Sequence, residues 1–180
     1  NLPFQAGDDV VLSNMRRGYT VTQFIKKIDL IKNTIPDVTL TSDLIVGFPG
    51  ETRTQFENSM KVLKLIEFEK VHVSGYSTRE GTLASRKLID DITIEEKKSR
   101  IKEVNELQED IQYNKNNKLV GSYFDVLIEG HKRGDLFGRA MNDKIVYIDF
   151  DGERTINYGE ILGIEITKST PWSLRGALVK

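Results

Sequence analysis

The chain has 180 residues, 38% hydrophobic and 29% charged, with Lys+Arg 26 against Asp+Glu 27 and a formal net charge of −1. At ~150 residues per domain this is one to one and a half domains, too apolar for intrinsic disorder, and its balanced charge excludes binding of nucleic acid or membrane by bulk charge while leaving local patches open. With no cysteine and two histidines, His72 and His131, the chain has no disulfide, thiolate nucleophile, iron–sulfur ligand or His-rich metal site of its own.

Asn1-Leu2-Pro3-Phe4-Gln5 reads as a strand already under way, so further residues are expected upstream. Met15-Arg16-Arg17-Gly18-Tyr19 reads as a helix end, with Gly18 as the left-handed capping residue. Thr20 and Gln23 form a capping-box pattern ahead of Val21, Phe24, Ile25, Ile28 and Ile31 at helical spacing, and Pro36 ends that helix. A strand follows over 38–46, closed by Gly47-Phe48-Pro49-Gly50. A second helix opens near Thr52, with Gln55 three residues on. A second strand covers 71–76, with His72 expected in or near the core. Strand, helix and strand at this spacing make a βαβ unit with parallel pairing and a right-handed crossover. A third helix opens at Thr93, carries Ile94, Ile101, Val104, Leu107 and Ile111 as a narrow apolar stripe, and runs into the polar stretch Asn114-Lys115-Asn116-Asn117-Lys118. The domain boundary is expected there, dividing 1–117 from 118–180.

The second region holds five candidate strands, at 123–129, 136–141, 144–150, 160–167 and 174–179, separated by turn signals such as Arg133-Gly134-Asp135 and Asp151-Gly152. Five short strands in so few residues predict a small five-stranded antiparallel β-barrel of OB-like size, an architecture that often binds RNA. No apolar run approaches the ~18 residues of a membrane span and no signal-peptide pattern opens the chain, so a cytoplasmic setting away from membranes is expected.

In a parallel α/β region the carboxyl ends of the strands carry the site. Ser42-Asp43 and the Gly47–Gly50 loop lie at one such end, and Tyr76-Ser77-Thr78-Arg79-Glu80-Gly81-Thr82 at the next. The glycines let backbone approach a ligand, and Arg79 suits a carboxylate or phosphate. Gln5 joins the same rim if its segment is a strand. The plain alternative is a pair of ordinary strand-to-helix turns. In the barrel region Lys132, Arg133, Arg139, Lys144 and Arg175 are interleaved with Phe137, Tyr147 and Trp172, a pattern suited to single-stranded RNA, whose phosphates need cations and whose bases stack. The alternative there is barrel core plus ordinary surface charge.

Four motifs in order carry a resemblance: Leu2-Pro3-Phe4-Gln5-Ala6-Gly7, Met15-Arg16-Arg17-Gly18-Tyr19-Thr20, Ser42 through Thr52, and Tyr76 through Thr82. They resemble the second half of the catalytic domain of the radical S-adenosylmethionine methylthiotransferases, and the tail from about residue 118 resembles their RNA-binding TRAM domain. Leu136-Phe137-Gly138-Arg139 and Pro171-Trp172-Ser173-Leu174-Arg175-Gly176 are most similar to the members acting on N6-isopentenyladenosine in tRNA. Members acting on threonylcarbamoyladenosine or a ribosomal-protein aspartate are less similar. Thr78 and Glu80 depart from the family, which often has prolines there.

The resemblance implies the fold class: the last strands of a partial parallel (β/α) barrel followed by the small β-barrel. It implies two 4Fe-4S clusters, with ligands upstream of Asn1. One cleaves S-adenosylmethionine to a radical that takes hydrogen from C2 of the adenine beside the anticodon. The other supplies sulfur, and a second S-adenosylmethionine supplies methyl. It also implies a tRNA anticodon stem-loop as substrate and an electron donor such as a flavodoxin. Carried onto this chain, Gln5, Ser42, Asp43, Gly47, Gly50 and Arg79 are expected to shape or contact the cofactor site. Lys132, Arg133, Phe137, Arg139, Lys144, Trp172 and Arg175 are expected to form the RNA face. Catalytic residues and metal ligands are expected on neither, so these 180 residues alone are expected to bind RNA and turn nothing over, and to lose tRNA affinity without 118–180. Two other readings stay open: a non-catalytic RNA-binding adaptor, and an unrelated barrel enzyme using Asp43 and Glu51 as an acid–base pair.

Overall fold

The computed structural model describes residues 1–132, 134–150 and 155–179. The chain divides into two units, Asn1–Gln108 and Glu109–Lys180. Arg133, one of the expected RNA-face residues, lies outside the described residues.

In the first unit the order is α1 (Asp9–Asn14), α2 (Val21–Thr34), β1 (Thr41–Val46), α3 (Arg53–Ile66), β2 (Lys70–Gly75), α4 (Leu83–Lys87) and the start of α5 (Ile94–Asn117). Both expected capping boxes are formed. Thr20 accepts from the Gln23 backbone and Thr52 from that of Gln55, and each glutamine side chain returns a bond to the cap backbone. β1 and β2 pair in parallel from Thr41↔Lys70 to Val46↔Gly75, with α3 between them. Residues 2–5 run parallel to β1 on its other edge, through Leu2 N–H to Thr41 O (2.9 Å) and Gln5 N–H to Asp43 O (2.8 Å).

β1 alternates between a buried face (Ser42, Leu44, Val46) and a half-buried one (Thr41, Asp43, Ile45). Leu44 and Val46 join Phe4, Phe24, Phe56 and Phe68 in one core, with the Phe4 and Phe24 rings 5.3 Å apart. β2 shows a different outcome for His72. Val71 takes the core side, so the alternation turns His72 outward, where it is exposed rather than buried.

The second unit is a closed barrel in the order β3-β4-β5-β7-β6, from β3 (Tyr123–Lys132), β4 (Asp135–Ala140), β5 (Ile145–Asp149), β6 (Ile161–Ser169) and β7 (Leu174–Leu178). Inward residues at alternate positions, among them Val126, Ile128, Val146, Ile148 and Ile164, form its core. Four seams are antiparallel and β5–β7 is parallel. This corrects the all-antiparallel expectation. Directions cannot alternate around a ring with an odd number of strands, so one seam must be parallel. Gly138 and Gly176 sit where strands press together. A Cβ on Gly138 would meet the Leu127 carbonyl oxygen, and one on Gly176 the Glu165 carbonyl oxygen.

Candidate functional site

The loop between β1 and α3 is tied from one side by α5. Gly47 has φ 70° and donates its N–H to Glu51 Oε2 at 2.6 Å. Glu51 is buried and meets Arg100 Nη1 at 2.8 Å, and Arg100 also reaches Glu96 at 2.7 Å. Burial pushes the Glu51 carboxyl up from its ordinary range, against the opposing pull of the Gly47 N–H and the Arg100 guanidinium. Lys97, also buried, lays its methylenes across Gly47 and Gly75 and gives its ammonium to both Asp90 oxygens at 2.7 Å. The same ammonium lies 5.5 Å from the centre of the Tyr76 ring, which meets Phe48 edge-on at 5.0 Å. Gly50, at φ 79°, donates its N–H to Asp91 at 2.7 Å.

A cavity of about 710 Å³ opens in this unit, between the end of α1, the ends of β1 and β2, and α4. Gln5 and Arg79, two of the expected site residues, both line it, with Ile45 and Phe48 as apolar wall. Gln5 is held at φ 69°, and its side-chain oxygen accepts from Arg17 Nη2 at 2.9 Å. Ser42, Asp43, Gly47 and Gly50 are not among the lining residues. Ser42 faces the core, accepting from the Phe4 N–H (3.0 Å) and donating to the Leu2 carbonyl (2.8 Å), so it fastens the first segment to β1. Ser42→Ala is expected to lower stability by about 1–3 kcal/mol, the cost of an unmade buried hydrogen bond, measured by denaturant unfolding. Asp43 accepts from Asn1 Nδ2 at 2.9 Å. Asp43 and Glu51 do not share the cavity, and Glu51 is occupied by Arg100, so the acid–base pairing finds no shared chamber.

The α1 terminus corrects the sequence expectation. The left-handed residue is Arg16, at φ 58°, and Gly18 has no positive φ. Arg16 N–H bonds to Ser13 O and Arg17 N–H to Leu12 O, each at 2.9 Å. With Met15 as C-cap, these two bonds are the Schellman pair, which reverses the chain one residue beyond the cap. The helix ends too early for Gly18 to serve.

On the barrel, Phe137, Tyr147 and Arg175 stand in register across β4, β5 and β7 on the outer face. The rings of Phe137 and Tyr147 are 6.3 Å apart, and the Arg175 guanidinium lies 5.9 Å from the Tyr147 ring centre. Arg139 follows two residues after Phe137. Both arginines lie between carboxylates: Arg175 bonds Asp149 (2.6 Å) and Asp135 (2.8 Å), and Arg139 bonds Glu129 and Asp143 (both 2.9 Å). Lys132 is exposed at the end of β3, and Lys144 is half-buried just before β5. Trp172 is 58% exposed in the turn before β7. That turn is braced by Thr170 and Ser173 and by buried Asn116, whose Nδ2 donates to the carbonyls of Thr170 (2.8 Å) and Pro171 (3.0 Å).

Residues 1–63 match the Radical SAM superfamily and residues 117–179 the TRAM domain. A curated relative from Dehalococcoides mccartyi is 39% identical over 180 residues, covering 100% of this chain and 42% of its own length. One from Herpetosiphon aurantiacus is 41% identical over 182 residues, covering 99% of this chain and 41% of its own. Both carry the name tRNA-2-methylthio-N(6)-dimethylallyladenosine synthase, and the chain matches their carboxy-terminal part. The two family models each cover about a third of the chain. The chain spans about two fifths of the length of these relatives. A solved multidomain protein with nucleic acid binding domains from Streptococcus pneumoniae matches 36% of the chain and 24% of its own at 17% identity and a TM-score of 0.30, too slight to bear on the fold. Among the described residues, no helix is long and apolar enough to cross a membrane.

Proposed function

We propose that this chain is the substrate-holding portion of a cytoplasmic tRNA methylthiotransferase that acts on C2 of N6-isopentenyladenosine beside the anticodon. The carrying observation is the barrel's outer row of Phe137, Tyr147 and Arg175, with Trp172 held out by a braced turn. Aromatic faces take unstacked bases, and Lys132 and Lys144 on the same barrel bring positive charge to the phosphates. Arg175, clasped by Asp135 and Asp149, is oriented as a planar surface beside the Tyr147 ring, and Arg139 is held between Glu129 and Asp143, so neither is a free cation.

The donor set does not fit an iron–sulfur cluster. The sequence has no cysteine, and no group of three metal-ligating side chains occurs among the described residues. No step is assigned to a cluster on this chain, and the flavodoxin-type electron donor belongs with ligands supplied elsewhere. The cavity walls match S-adenosylmethionine only in part. They offer cations to its carboxylate and apolar surface to its ring, but no carboxylate to its ammonium or sulfonium. Gln5 and Arg79 are this chain's contribution to the chamber, Gly47 and Gly50 set the loop behind it, and Ser42 and Asp43 hold the strands that frame it.

Trp172 is the sole tryptophan, so fluorescence excited at the red edge of the indole band, beyond tyrosine absorption, reports on it alone. Titration with an anticodon stem-loop RNA is expected to quench that fluorescence. Trp172→Ala is expected to cost about 1–3 kcal/mol of binding, the worth of one stacked base. Unquenched emission together with undiminished affinity in the variant would remove the barrel from the RNA interface.

A further inference from the structure

The Trp172 ring is exposed, and the described ring contacts of the barrel, His131 with Tyr158, Phe137 with Tyr147 and Arg175 with Tyr147, leave it out. Its direction therefore depends on the turn that carries it, residues 170–173 between β6 and β7. From within, Thr170 closes that turn. Its hydroxyl accepts from the N–H of Ser173 (3.0 Å) and of Trp172 (3.3 Å), and its own N–H donates to the Ser173 carbonyl (2.8 Å). These local bonds set the shape of the turn and not where it points. From outside, Asn116 on the last turn of α5 commits its amide nitrogen to two successive carbonyls, Thr170 O at 2.8 Å and Pro171 O at 3.0 Å. Two acceptors on consecutive peptide units fix an orientation that a single bond would leave free to swivel.

The other half of that amide supplies an independent observation. Asn116 is 2% exposed, and its Oδ1 is buried with no hydrogen-bond partner among the described residues. A buried acceptor left unmade works against folding, and an apolar side chain of the same outline would avoid the penalty. Flipping the amide brings no relief, since it would set an oxygen against two carbonyl oxygens. Asparagine is thus a poor residue for packing this position and a good one for aiming the turn.

We infer that Asn116 is a positioning residue for RNA binding: its amide fixes the 170–173 turn so that the Trp172 ring stands ready for an unpaired base. The inference rests on the RNA reading above and adds to it a buried residue that itself touches no RNA. A ring set in place beforehand gives up less freedom on binding than one carried by a loose turn, so the gain appears as affinity.

The test uses the full chain and a fluorescently labelled anticodon stem-loop RNA, with affinity measured across a salt series. Asn116→Leu keeps the outline of the side chain, removes the orphaned oxygen and cuts both ties. Its melting temperature is expected to stay close to the parent's while its RNA affinity falls several-fold. The slope of log affinity against log salt should not change, because no phosphate contact is lost. The anisotropy of Trp172 emission, excited at the red edge, should drop as the turn loosens. Added to Trp172→Ala, the leucine substitution should weaken binding no further than Trp172→Ala alone, since both act through one ring. Asn116→Ala, the residue most favoured in a helix, is the second variant and should give the same readings. If Trp172→Ala weakens binding while both Asn116 variants keep the parent's affinity and anisotropy, the inference falls and the barrel reading stands. Additive losses in the double variant would also overturn it, by placing the effect of Asn116 outside Trp172. If the parent does not bind the RNA, or Trp172→Ala binds as tightly as the parent, the stacking reading itself falls and the inference falls with it.

Discussion

Arg100→Ala is expected to destabilise the first unit by about 3–5 kcal/mol, the range for removing one partner of a buried ion pair. Arg100 and Glu51 are both almost wholly inaccessible, at 4% and 1% side-chain exposure. Loss of the guanidinium strands a carboxylate whose only other hydrogen bond among the described residues is the Gly47 N–H. It also removes a cation resting 5.4 Å from the Phe56 ring centre and a bond to the Glu51 carbonyl. The effect should depend on pH in a defined direction. Burial already raises the Glu51 carboxyl, so the folded state takes up its proton before the unfolded state does. Its contribution to stability is therefore greatest below the unfolded pKa and is lost as pH rises through the folded one. Without Arg100 the folded value climbs further, and the gap in Tm between variant and parent should narrow on acidification. Adding Glu51→Gln to Arg100→Ala should recover part of the loss at neutral pH, because no charge is left stranded. A gap that stays constant with pH would mean that Arg100 acts through packing alone.

Gly138→Ala is expected to cost the barrel about 1–3 kcal/mol through overpacking, toward the upper end because the obstacle is backbone. The new methyl would drive into the Leu127 carbonyl across the β3–β4 ladder, and it would also press on the Val126 side chain. Neither can move without parting two strands of a closed ring. Gly163→Ala is the control: its added Cβ would meet nothing within 4 Å, and it should be close to neutral. Thermal unfolding of the two variants side by side measures the difference. Equal melting temperatures would mean that the seam is more compliant than its spacing implies.

Elements whose residues declare their role through polarity were legible before the structure. Thr20 with Gln23 and Thr52 with Gln55 marked helix starts correctly, and the strand–helix–strand spacing implied the parallel β1–β2 pair. The barrel strands were recognisable from alternation and turn residues, to within a few residues at each end. What escaped was polarity used inside. The apolar stripe on α5 looked narrow because polar side chains share its buried face. Lys97, Arg100, Val104, Gln108 and Ile111 follow one another three or four residues apart, and all are buried. Ile94, expected on that stripe, is exposed at the helix start. A sequence scan treats Lys97 and Arg100 as solvated, and only the partners at Asp90 and Glu51, brought near by the fold, make their burial tolerable. Ser42 and Asp43 carry a simpler lesson. Adjacent strand residues face opposite ways, so the two could not both look into one cavity. Arg16 was unforeseeable for a further reason: glycine propensity pointed to Gly18, while the helix hydrogen bonds closed two residues sooner.

The parallel β5–β7 seam gives the barrel an uneven architecture of assembly. β7 comes last in sequence, yet it bonds β6 on one side and β5 on the other. It works as a keystone stave. Until it slots in, four strands form an open sheet with two unsatisfied rims, and once it docks both rims vanish together. Trimming the chain back by a single short strand would therefore unzip two of five seams at a stroke, so this small ring stands or opens as a whole.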